Sequence, residues 1–199
     1  MHLDKNTTAV LALHWINDIV SEGGAFGGMF ADEVNRTGVV DNTKNVLTAA
    51  RRVAVPVCYT RVVYQPGYPG IIVNGPLFEG IQPSGAFIAG EKGVEIIPEL
   101  TPREGDEVLD SGRVSAFTDT GLHDKLQARG INTVVLTGVA THITVQSSAL
   151  AASDLGYRVV VVSDATSADS PASHEHALSA LGVLCEIASS SEVIEALTG

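Results

Sequence analysis

Cysteine is nearly absent from this chain. The 199 residues contain two, Cys58 and Cys185. Both lie inside apolar runs rather than at loop spacings, which excludes a disulfide-framed scaffold. Basic residues are also scarce, with 12 Lys and Arg against 23 Asp and Glu and a net charge of -11. Phosphate backbones and anionic membrane surfaces both call for clustered cations, so neither nucleic acid nor a membrane is an expected partner. No apolar stretch approaches the roughly 20 residues of a transmembrane helix. The opening MHLDKNTTAVLALHW lacks the basic and small-residue pattern of a secretory signal. These absences together predict a cytoplasmic protein.

The chain is 45% hydrophobic and 18% charged over its 199 residues, which suits one domain, 1–199, with a substantial core. Short apolar runs alternate with helix-like stretches. TTAVLALHW, VPVCYTRVV, DEVLDS, INTVVLTGV, YRVVVVSDA and LCEIASS read as six strands. Runs such as TVVL and RVVVV stay apolar without alternating, the mark of strands covered on both faces. The fold class expected is therefore α/β: three layers, with a six-stranded parallel sheet between helices. SEGGAFGGMFADE shows neither period and reads as a loop. Tyr64 to Gly93 is the longest irregular segment, a type that is often functional. Thr141 is placed to cap the helix after INTVVLTGV, and Ser190 or Ser191 to cap the last helix.

In open parallel sheets ligands bind beyond the carboxyl ends of the strands. That rule selects His14, Arg61, Ser111, Gly138 to Thr144, and Asp164. Neither G-x-G-x-x-G nor G-x-x-x-x-G-K-[ST] occurs in a nucleotide-binding context, so no cofactor is expected. The HEH of His174 to His176 projects its imidazoles about 200° apart on a helix, and no metal is expected there. The strand-turn-helix at Leu136 to Val145 is the strongest local feature, because a helix start offers free N–H groups to a developing oxyanion.

GVATHITVQSSALAASDLGYRVVVVSDATSA resembles the signature of the isochorismatase-like hydrolases, G-V-x-T-x-x-C-V-x-x-T-A followed by A-x-x-x-G-Y-x-V and a D-A turn. RVSAFTDTGLHDKL is similar to the family's K-x-x-x-S-A-F-x-x-T-x-L block, and AVLALHWINDIV to its first strand, L-x-I-D-x-Q-N-D-F. The blocks stand in family order. The resemblance implies catalytic positions at His14, Ser111 and Thr144, where the family carries Asp, Lys and Cys. It implies a cis peptide at Val139-Ala140 and an oxyanion hole formed by the amides of Ala140 and Thr144. Arg113, two residues past Ser111, is the candidate to restore positive charge, and Arg113 with Arg61 would bind substrate. The zinc ligands of nicotinamidases have no counterpart after the second strand, so no metal is implied. The expected activity is hydrolysis of an amide-like or enol-ether-like bond in a small molecule by a non-standard site. The alternative is a catalytically silent binding or regulatory relative. The resemblance also implies a homo-oligomer.

Overall fold

A computed structural model describes residues 1–199. Six strands, β1 (Thr8–Leu13), β2 (Val57–Val62), β3 (Glu107–Ser111), β4 (Thr133–Val139), β5 (Arg158–Ser167) and β6 (Glu186–Ala188), form one sheet in the order β3-β2-β1-β4-β5-β6. Every pairing is parallel. All residues of β1 and β4 are buried, because both central strands are covered on two faces.

Side chains of β1 alternate between the layers. Val10 and Ala12 face a cluster that includes Phe30 and Val34 of α2 (Gly27–Thr37), Val46 and Leu47 of α3 (Val39–Arg52), and Val193 and Leu197 of α9 (Ser190–Thr198). Leu11 and Leu13 face the opposite cluster. It holds Leu122 and Leu126 of α6 (Leu122–Ala128), Ala149 of α7 (Gln146–Asp154) and Leu181 of α8 (Pro171–Leu181). This is the three-layer α/β/α arrangement.

The segment 21–33, expected to be a loop, contains the start of α2. Phe30, Ala31 and Val34 are buried on one side of this helix, and that packing outweighs the poor helix propensity of its glycines. Gly27 serves a close approach: a Cβ there would sit 2.0 Å from the Ser21 carbonyl oxygen. The short α1 (Asn17–Val20) leads into this turn. Between β2 and β3 the chain is mostly irregular, broken by α4 (Pro76–Glu79) and α5 (Ile81–Ser84).

Two caps fall elsewhere than expected. Ser189, not Ser190 or Ser191, caps α9 in a capping box with Glu192. Thr141 caps nothing, since the turn before α7 is a π-helical segment, Thr141–Val145, with Ala140 at its N-cap.

Candidate active site at the carboxyl ends of the central strands

The register of β1 on β4 pairs Leu13 with Gly138, so the residues that follow each strand emerge side by side. Gly138 has φ 145°, and a Cβ on it would lie 2.4 Å from the Leu13 carbonyl oxygen. Only glycine fits this approach. The pairing of β4 with β5 shifts register between Leu136 and Gly138, which bends the strand end. The next peptide, Val139-Ala140, is cis. The chain then enters the π-helical turn, where the amides of Ile143 and Val145 both donate to the Ala140 carbonyl at 3.1 Å.

His14 follows β1 with φ 57°, a left-handed conformation that costs a non-glycine residue on the order of 1 kcal/mol or more. Its amide donates to the Thr60 carbonyl at 2.9 Å, fixing the backbone against β2. The side chain is 2% exposed. Its Nδ1 lies 3.0 Å from Thr144 Oγ1, which the π-helical turn delivers from the other side. The two residues are thus a hydrogen-bonded pair across 130 positions of sequence. Burial pushes the His14 imidazole down to a pKa of about 4, so it is neutral at pH 7.

A small cavity, partly open to solvent, sits over this pair. Of its 16 lining residues 12 are hydrophobic, and its only polar side chains are those of His14, Thr144 and Arg113. Phe26, Phe30, Phe78 and Phe87 form much of the wall. No carboxylate lines it, so nothing there offsets a charge developing on His14.

The remaining sequence candidates are placed as follows. Ala140 and Val139 line the cavity, as does Arg113. Ser111 does not: its hydroxyl donates to the Thr118 carbonyl at 2.9 Å and accepts from the Arg113 amide at 3.0 Å. It shapes the loop that presents Arg113, and the expected meeting of three side chains is a meeting of two. Arg61 is also outside the cavity, held by Asp110 at 2.8 Å through Nε and 2.9 Å through Nη2. Neighbouring strands place these two opposite each other, and the pair satisfies both charges. Asp164 binds the amide and hydroxyl of Ser190 at 2.6 and 2.8 Å, where it favours the start of α9. Thr141 contacts His174 Nδ1 at 2.8 Å and ties α8 to the π-helical turn.

One residue was missed. Asp18 Oδ2 accepts from the Phe87 amide at 2.7 Å, and the Asp18 carbonyl accepts from the Phe26 amide at 2.7 Å. The rings of Phe26 and Phe87 stack with centroids 5.1 Å apart. Asp18 therefore joins two chain segments that wall the cavity. The signal was available in the N-D of INDIV, which matches the family's first-strand pattern.

Neither cysteine reaches the site. Cys58 is buried in β2, where desolvation pushes its thiol up to about 11. Cys185 is buried just before β6 rather than within it.

Residues 8–192 match the profile of the isochorismatase domain. The chain belongs to the isochorismatase family. It is 32% identical over 178 residues to a ureidoacrylate amidohydrolase RutB of Rhizobium rhizogenes, covering 82% of this chain and 72% of that one. The corresponding protein of Agrobacterium fabrum is 31% identical over 178 residues, covering 82% of this chain and 77% of that one. Among solved structures, a cysteine hydrolase from Pseudomonas syringae pv. phaseolicola superposes with a TM-score of 0.87 over 99% of this chain and 95% of that one, at 22% identity. N-carbamoylsarcosine amidase from Thermoplasma acidophilum gives 0.74 at 29% identity, over 92% and 96% of the two chains. This isochorismatase-family chain shares the fold of these solved structures.

Proposed function

We propose that this isochorismatase-family protein hydrolyses an amide-type bond, of the ureido or carbamoyl kind, in a small molecule with an apolar body. The observation that carries this reading is the 3.0 Å contact between His14 Nδ1 and Thr144 Oγ1 at the base of an apolar cavity. The names of the ureidoacrylate amidohydrolases and of N-carbamoylsarcosine amidase support the bond type.

In the tautomer with its proton on Nε2, His14 accepts the Thr144 hydroxyl hydrogen at Nδ1. Thr144 Oγ1 attacks the carbonyl carbon as that proton passes to His14, the base-nucleophile arrangement of hydroxyl-dependent hydrolases. The tetrahedral oxygen is received by the amides of Ala140 and Thr144. His14 returns the proton to the departing nitrogen, which leaves an acyl ester on Thr144. Water, deprotonated by His14, then releases the acid and restores the hydroxyl.

The low basicity of His14 favours a second reading. An imidazole with a pKa of about 4 and no carboxylate behind it is a weaker base than an ordinary histidine. A binding protein on the same fold needs only the cavity. Incubation of the protein with ureidoacrylate, N-carbamoyl amino acids and primary amides separates the two. The hydrolase reading expects release of ammonia or amine above the buffer rate from at least one of them. Saturable binding with no release from any would establish the binding reading instead.

A further inference from the structure

Among the arginines, Arg36, Arg51, Arg61, Arg129 and Arg158 each pair with a carboxylate. Arg52, Arg103 and Arg113 have no carboxylate partner, and of all the arginines only Arg113 lines the apolar cavity. Its contacts are all neutral. Nη1 donates to the Ile72 carbonyl at 3.2 Å, Nη2 donates to Asn74 Oδ1 at 3.3 Å, and the guanidinium carbon stands 4.2 Å from the centre of the Phe78 ring. Asp119 shares with Arg113 a second depression that His14 and Thr144 do not line, but forms no ion pair with it.

A guanidinium partly withdrawn from water with no counter-anion is electrostatically incomplete. In a chain of net charge -11, carboxylates to complete it are plentiful, yet the fold brings none. Stacking on Phe78 and two long bonds to neutral oxygens hold the fork in position while leaving its charge uncompensated. A planar fork of this kind matches a carboxylate through two parallel hydrogen bonds. The cavity supplies one cation only, which suits a monoanion better than a phosphate dianion.

We infer that Arg113 is the anion subsite of this cavity, and that the molecule cleaved there carries a carboxylate. The inference rests on the hydrolase reading for the fate of the ligand, but not for its binding. The carboxylate docks on Arg113, and the apolar body lies against the phenylalanines. The amide-type bond then reaches His14 and Thr144. Ser111 acts as a positioning residue, because its hydroxyl fixes the Arg113 amide.

The test uses ureidoacrylate and its carboxamide, a pair that differs only in the anionic group. Affinity is measured by calorimetry and kcat/KM by steady-state turnover. The wild type should favour the acid by about 10- to 100-fold, the range of a charge-assisted hydrogen-bonded pair. In Arg113→Met that ratio should fall to near one, and in Arg113→Lys it should be intermediate. Retention of the ratio by Arg113→Met, or equal or absent binding of the two compounds by the wild type, would overturn the assignment. Preferential binding of the acid through Arg113 with no hydrolysis would leave the subsite standing and remove the hydrolase reading. Equal hydrolysis of both compounds would do the reverse.

Discussion

At the scale of single residues, His14 and Thr144 meet at the cavity and Ser111 stays outside it. The nearness of positions 14 and 144 was legible because both follow the ends of central strands. The withdrawal of Ser111 was not, because its hydroxyl answers to a loop carbonyl whose position depends on tertiary folding. The same limit applies to Arg61, whose partner lies on the adjacent strand. His14 makes the chain sensitive to acid. In the unfolded state its imidazole takes up a proton near pH 6.5, whereas burial delays uptake to about 4 in the fold. The unfolded state therefore binds more protons between those values, and stability falls as pH drops from about 6.5 towards 4. The loss is on the order of 3 kcal/mol. Equilibrium denaturation across this window should show the loss in the wild type and a smaller one in His14→Gln. A parallel pH dependence in both would show that His14 is not held neutral. The thiols offer a second expectation. With Cys58 raised to about 11 and Cys185 also raised by burial, alkylating agents should leave turnover of the folded protein unchanged. Rapid inactivation with substrate protection would place a nucleophile where none is assigned.

At the scale of elements, the six strands were legible in their apolar runs and the helices between them in their period. Glycine misled where it served contact rather than flexibility. The stretch from Ser21 to Glu33 reads as loop because of its glycines, yet Gly24 just before α2 and Gly27 at its first residue let backbone pass backbone. The walls of the cavity were the least legible part, since Phe26, Phe78 and Phe87 come from irregular or short helical segments with no shared period. Asp18 binds two of those segments together through one carboxylate and one carbonyl. In Asp18→Ala the Phe87 amide loses a charge-assisted hydrogen bond, worth roughly 1.5–3 kcal/mol. The Phe26–Phe87 stack then loosens. Thermal denaturation should show a lowered Tm, and KM should rise several-fold with a smaller change in kcat. An unaltered KM with a full loss of stability would assign Asp18 to the core alone.

At the scale of the whole molecule, the sheet order and the β1–β4 register explain why the cavity lies at the ends of these strands. The two central strands end together, Gly138 lets them touch, and their next residues have nowhere to go but the cavity floor. The fold thus imposes the meeting of positions 14 and 144 whichever side chains occupy them. Although the chain is acidic, no carboxylate lines that floor, so His14 rests neutral beside Thr144. No helix is long and apolar enough to cross a membrane. The central claim is that His14 and Thr144 form a working base and nucleophile, and the kinetics of their variants on one cleaved amide test it most directly. His14→Ala should lower kcat/KM by about 10²-fold or more, the usual size of a general-base contribution. Thr144→Ala should match it, the double variant should be no worse than either single one, and Thr144→Ser should retain most of the rate. Full activity in a folded His14→Ala protein would contradict the account.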